Sequence, residues 1–272
     1  MPIKKDESGR RSVSVEVEVP GTTEQVWNAI ATGPGISSWF VPSEVDGRVG
    51  GVATSNFGPG MESEAKITAW DPPRRFAADS KDLGPDAPTV ASEWIVEARS
   101  GDTCIVRVVH SLFVDDEEWD DQLEGWESGW PSFFRILKLY LQHFVGQSSS
   151  AYQLMAMAPS PRSEAWATLT GALHLDDAGP GERVQCRLGD LSMGGWVESL
   201  GSDGDDELLL RLDEPAPGVA HLFAMDIGDR VLLSLRFYLY GEIAAEVAAR
   251  DEPLWQRWIA DHFPAGGTET AS

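Results

Sequence analysis

His110 is the residue whose type and placement most invite chemistry. It lies in an alternating run, residues 103–113, where Arg107 marks the solvent side and Val106, Val108, His110 and Leu112 share the other face. An imidazole turned inward can orient a ligand or accept a proton as a general base. No carboxylate shares that face to orient the ring, and a single strand histidine is more often a satisfied core residue. Glu62 and Glu64 stand two apart on one strand face, a spacing that lets paired carboxylates divide acid and base roles. Lys66 continues that face, which reads instead as a solvated edge. No serine–histidine–aspartate set can be drawn. Gly50-Gly51 and Gly58-Pro59-Gly60 lack the Lys-Ser/Thr and the helix that a phosphate loop requires. Cys104 and Cys186 form no CxxC and no His/Cys cluster, so the expectation is two buried thiols, no metal and no cofactor. No catalytic residue is assigned.

A second set is aromatic. Trp39, Phe40, Trp94, Trp126, Trp130 and Phe134 are spaced so that, with His110, they can wall a ligand cavity. The competing reading is that the same rings fill the interior and leave no void. Eleven tryptophans in 272 residues favour irregular aromatic walls over a purely aliphatic core.

The elements that must position these side chains follow from periodicity. Val13, Val15, Val17 and Val19 alternate with polar residues and predict a half-buried strand, ended by Pro20. Thr22 or Thr23 caps a helix carrying Val26, Trp27, Ile30 and Ala31. Gly33-Pro34-Gly35 breaks the chain before a turn bearing Trp39 and Phe40. An antiparallel meander follows, punctuated by Asp46-Gly47, Gly50-Gly51, Asp71-Pro72-Pro73 and Gly84-Pro85. Residues 89–98 and 103–113 form a hairpin about Gly101-Asp102, with Ser92, Trp94 and Val96 inward and Glu93 and Glu97 outward. A long helix then begins at Asp115, Asp116, Glu117 and Glu118, whose charges suit its N-terminal dipole. The acidic run 115–121 could dock a basic partner, but a solvated helix start is the favoured account. Leu123, Trp126, Trp130, Phe133, Phe134, Leu137, Leu141 and Phe144 form its apolar stripe, and Pro131 predicts a kink or restart.

The chain repeats this plan. Val19-Pro20 through Trp27 is echoed by Ala158-Pro159 through Trp166, Gly101-Asp102 by Gly228-Asp229, and His143-Phe144 by His262-Phe263. The offsets shrink from 139 to 127 to 119, so the second copy is shorter while every landmark keeps its order. The reading is an α+β protein of tandem helix-grip domains, each a curved antiparallel sheet wrapped on a long C-terminal helix. Residues 1–11 and 265–272 are expected as frayed tails, 12–146 and 152–264 as the two domains, and 147–151 as the linker.

Val19-Pro20, Val26-Trp27, Trp39-Phe40, Trp70-Asp71-Pro72-Pro73-Arg74-Arg75-Phe76 and Gly129-Trp130-Pro131-Ser132-Phe133-Phe134 occur in an order that resembles the START-like, SRPBCC superfamily. Within it the first half resembles the branch named after heat-shock protein 90 ATPase activator homologues. The second half carries that resemblance only through the internal repeat. The resemblance implies a deep, mostly apolar pocket between sheet and helix, used in such proteins for hydrophobic-ligand carriage, polyketide aromatisation and cyclisation, or co-chaperone contacts. Fold alone does not choose among these.

The net charge of −23, from 44 acidic and 21 basic residues, repels phosphate backbones and anionic lipid, so neither nucleic acid nor membrane is an expected partner. No apolar run is long enough to span a bilayer and no secretory leader is visible, so the expected location is cytoplasmic. The favoured reading is non-enzymatic binding of a small hydrophobic molecule in the first domain, with a degenerate second domain in support. The alternatives are an aromatase/cyclase-like enzyme using His110, and a co-chaperone-like module that engages a protein partner.

Overall fold

The computed structural model describes residues 3–5, 9–58, 60–84, 87–114, 118–159, 161–201 and 205–264. The chain divides into two compact units, Met1–Ser148 and Ser149–Ser272. In the first, β1 (Lys4–Lys5) and β2 (Arg10–Pro20) precede α1 (Thr23–Ala31) and α2 (Gly33–Ser37). The meander is β3 (Ser43–Val45), β4 (Val52–Asn56), β5 (Glu62–Asp71), β6 (Arg75–Ser80), β7 (Val90–Ala98) and β8 (Thr103–Phe113), and α3 (Asp120–His143) closes the unit. All strands join one curved antiparallel sheet in the order β1-β2-β8-β7-β6-β5-β4-β3, and α3 packs across β2 and β8.

The second unit winds the same way. β9 (Ser150–Pro159) leads to α4 (Arg162–Ala172), then β10 (Arg183–Leu188), β11 (Leu191–Leu200), β12 (Glu207–Glu214), β13 (Gly218–Ile227), β14 (Arg230–Leu239) and α5 (Ala244–His262). Its sheet order is β10-β11-β12-β13-β14-β9, so β9 pairs with the last strand β14 as β2 pairs with the last strand β8. The repeated landmarks fall on equivalent features. Gly101 and Gly228 make the last hairpin turn of each sheet at φ of 75° and 62°, left-handed values that glycine adopts without strain. Phe144 and Phe263 are the C-caps of the two long helices, and both are buried. These are tandem helix-grip domains.

Local chemistry explains most boundaries. Thr22 and Gln25 form a reciprocal capping box at α1, with Gln25 N donating to Thr22 Oγ1 at 3.3 Å and Thr22 N donating to Gln25 Oε1 at 2.9 Å. Four expectations need revision. Gly33-Pro34-Gly35 does not simply break the chain: it opens α2, because Thr32 accepts from Gly35 N and a proline is tolerated in a first turn. Pro131 does not restart the helix: it lies inside one continuous α3, where its missing N–H forgoes the bond to the carbonyl four residues earlier. Residues 1–11 are not all tail, since Lys4–Lys5 pairs with β2 and β2 already includes Arg10 and Arg11. The acidic first turn of α3 is Asp120 and Asp121; Asp115, Asp116 and Glu117 lie outside the described residues, as do 265–272.

The stripe on α3 is also wider than its period suggests. Ile136, Leu139 and Tyr140 are buried along with Leu137 and Leu141, because this end of the helix is covered by α1 as well as by the sheet. Cys104 and Cys186 are buried free thiols. No helix among the described residues is long and apolar enough to cross a membrane.

Candidate functional site

Three elements bring the expected site residues together. The β7–β8 hairpin sets Ser92 opposite His110 and Trp94 opposite Val108. Glu93, Glu97 and Arg107 take the other face, where Arg75 pairs with Glu93 and Arg107 reaches Glu16 at 2.9 Å and Glu97 at 3.3 Å. α3 delivers Trp126, Trp130, Phe133 and Phe134 from one side, and the exit from α2 delivers Trp39 and Phe40. Glu62, Glu64 and Lys66 are all exposed on β5, away from this cluster's buried rings, as a solvated edge should be.

The seven expected residues form one network of touching rings. Phe40 stacks on Trp130 with centroids 5.4 Å apart, and Trp94 meets the same indole edge-on at 5.0 Å. Trp39 joins Trp94 at 6.5 Å, Phe134 joins Trp130 at 5.4 Å, and His110 lies between Trp126 at 5.2 Å and Trp130 at 5.8 Å. Burial is graded across the set. Trp39 and Phe134 are fully buried, whereas Phe40, Trp94, His110, Trp126 and Trp130 keep part of their surface accessible. At these separations nothing fits between the partners of a touching pair, so any guest must lie on the open faces of the outer rings.

His110 carries the polar detail. Trp130 Nε1 donates to its Nε2 at 2.7 Å, and its Nδ1 lies 2.8 Å from Ser92 Oγ. An indole nitrogen can only donate, so Nε2 must be the bare nitrogen and the proton sits on Nδ1. Burial pushes the His110 pKa down from the ordinary 6.5 to about 4, so the ring is neutral near pH 7.

Sequence reasoning missed three contributors. Ser92 was legible as inward-facing, and its partner could have been counted, since 92 and 110 are equidistant from Gly101. Phe133 was read as core, but it meets Phe40 at 4.6 Å and stays partly accessible. Phe57 follows β4 in a loop with no periodic signal, yet it meets Phe40 at 5.6 Å while remaining 38% exposed.

The second unit offers an instructive contrast. Counting from the shared hairpin turn, the position of His110 is taken by Phe237, and the residue opposite it is Ala220. Counting back from the closing histidine, the position of Trp130 is taken by Ala249. Phe237 stacks on Tyr152 at 4.8 Å and meets Trp255 at 5.5 Å inside a largely aliphatic core. The polar group of the first unit has no counterpart at these positions.

Elsewhere in the first unit a cleft of about 210 Å³ lies between α1, α2 and the end of α3, lined by Gln25, Asn28, Thr32, Ser38, Tyr140 and Gln147 among others. Its amides and hydroxyls suit water better than an apolar guest. Among the described residues, no group of three or more His, Cys, Asp or Glu side chains is placed to hold a metal ion.

A sheet gripping a long helix, with an aromatic interior between them, defines a START-like domain. Residues 21–142, which lie within the first unit, match the family described as "Activator of Hsp90 ATPase homolog 1-like protein", and this match supports the START-like reading of that unit. The match ends before the second unit begins. No curated protein matches the chain. Among solved structures the chain is similar to the di-domain ARO/CYC BexL from the BE-7585A biosynthetic pathway, at 14% identity over 94% of this chain and 100% of that one, with a TM-score of 0.44. It is also similar to DynU16 from the dynemicin biosynthetic locus, at 17% identity over 92% and 94% of the two chains and a TM-score of 0.43. CalU16 from Micromonospora echinospora shares 19% identity over 52% of this chain and 80% of that one, with a TM-score of 0.42.

Proposed function

We propose that the first unit binds a small hydrophobic molecule without transforming it, and that the second unit is a supporting copy. The observation that carries this reading is the group of contiguous aromatic rings, Phe40, Trp94, Trp126, Trp130 and Phe133, left partly accessible between sheet and helix. Apolar rings held open in this way gain free energy from a guest that removes them from water. Catalysis by His110 as a base has little support, because its only free lone pair already accepts from Trp130. The reading places the protein in the cytoplasm, with a small molecule as its partner.

The test is a titration of the full chain with fluorescent fatty acids and aromatic polyketides. Saturable binding that is lost in Trp130→Ala or Trp94→Ala is the expected result. Absence of saturable binding for both ligand classes would reject the reading.

A second reading, contact with a chaperone, is favoured by the family match over residues 21–142. The acidic chain would then capture a basic partner surface. Pull-downs at low and at physiological salt separate the two, since attraction between exposed charges weakens with screening.

A further inference from the structure

We propose that the molecule bound in the first unit carries a hydrogen-bond acceptor, such as a ketone oxygen, and docks it on the hydroxyl proton of Ser92. The proposal rests on the hydrophobic-binding reading above and names the chemical class of its ligand.

The argument is one of direction. Trp130 Nε1 has a proton and no lone pair in the ring plane, so at 2.7 Å from His110 Nε2 it is the donor. That leaves the single proton of a neutral imidazole on Nδ1. At 2.8 Å, Nδ1–H therefore donates to Ser92 Oγ. The serine oxygen is now an acceptor from His110, and its own proton must point to a different partner. Among the described residues, no other hydrogen bond to Ser92 is present. Its neighbours across the strands are Ala78 on one side and His110 on the other, and Trp94 follows two residues along the same face. The three groups thus form a one-way relay, Trp130 to His110 to Ser92, that ends in a donor among aromatic rings.

A hydroxyl donor in such surroundings gains most from an acceptor. A ligand that offers only a donor can reach the oxygen's remaining lone pair, but it leaves the serine proton without an acceptor among the rings. The site should therefore rank isosteric guests by the polarity of one edge. Fluorene, 9-fluorenone and carbazole share a three-ring skeleton and present at that edge nothing, an acceptor and a donor respectively.

The experiment measures binding of these three compounds to the full chain by tryptophan fluorescence quenching. The expected result is that 9-fluorenone binds roughly three- to tenfold more tightly than fluorene, the worth of one added hydrogen bond, with carbazole weaker than 9-fluorenone. Ser92→Ala should bring the ketone-to-hydrocarbon ratio to about one while fluorene binding persists, and Ser92→Thr should retain the preference. Equal affinity for all three compounds, or a ketone preference that survives in Ser92→Ala, would overturn the proposal while leaving hydrophobic binding intact. If none of the three binds, the hydrophobic-binding reading itself fails and the proposal with it. Long-range proton–nitrogen NMR on the wild-type protein gives an independent check. It should show His110 protonated at Nδ1; a proton on Nε2 would break the relay at its first link.

Discussion

Arg11 on β2 grips Asp120 at the start of α3, with its Nε 2.7 Å from one carboxylate oxygen and a second guanidinium nitrogen on the other. The two residues are 109 positions apart, so this fork ties the opening strand to the closing helix. The side chains are only 9% and 24% exposed, which places the pair between a surface bridge and a buried one. Asp120→Ala should therefore lower stability by about 2 kcal/mol, because it strands the guanidinium. Urea unfolding would measure this. Replacing both partners by leucine should recover much of the loss, and a single variant as stable as wild type would show the fork to be idle.

Trp39 and Trp130 belong to one ring network but should respond differently to truncation. Trp39 is 1% exposed and its indole nitrogen donates to the carbonyl of Ala29 at 2.9 Å, so Trp39→Ala should cost about 3–5 kcal/mol through cavity formation and a lost bond. Trp130 is partly accessible, so its truncation should disturb stability less and ligand binding more. Thermal unfolding and ligand titration on the two variants, side by side, check the ordering.

The contrast shows how much of the site could be read in advance. The β7–β8 hairpin was legible because Glu93, Glu97 and Arg107 mark one face and Gly101 marks the turn, which turned Trp94 and His110 inward. The bounds of β8 and α5 follow directly from turn residues and helical period. Other features were hidden. Pro34 and Pro131 both look like interruptions, yet one is accommodated in a first turn and the other by losing one backbone bond. Ser92 could be placed opposite His110 by counting from Gly101, but the donor that sets the direction of their bond is Trp130 on α3, and no pattern along the strands carries that contact. Phe57 joins the network from a loop, where side-chain direction is set by packing and not by period.

Acid should weaken the fold through His110. In the unfolded chain the ring titrates at an ordinary 6.5, and in the folded protein burial lowers this to about 4. Between those values the unfolded state binds a proton that the folded state refuses, so stability falls as pH drops through the window. Above pH 6.5 the contribution is complete. The full span corresponds to roughly 3 kcal/mol. Wild type should thus lose its stability advantage over His110→Asn between pH 6.5 and 4. A gap between the two proteins that stays constant with pH would contradict this.

The thiols should be silent in the native protein. Cys104 and Cys186 are both buried, and burial pushes the Cys186 pKa up to about 11 and raises that of Cys104. Little thiolate exists at pH 8, so iodoacetamide should label neither until denaturant is added. Rapid labelling of either in the native state would show that its strand opens readily.

Phe237 and Ala220 stand where the first copy has His110 and Ser92. The same winding of strands thus occurs twice in one polypeptide, once wired for hydrogen bonding and once lined with hydrocarbon. On the binding reading, the intact protein carries its own blank: a photoreactive ketone probe should mark peptides from the first repeat and leave the matching hairpin of the second clean.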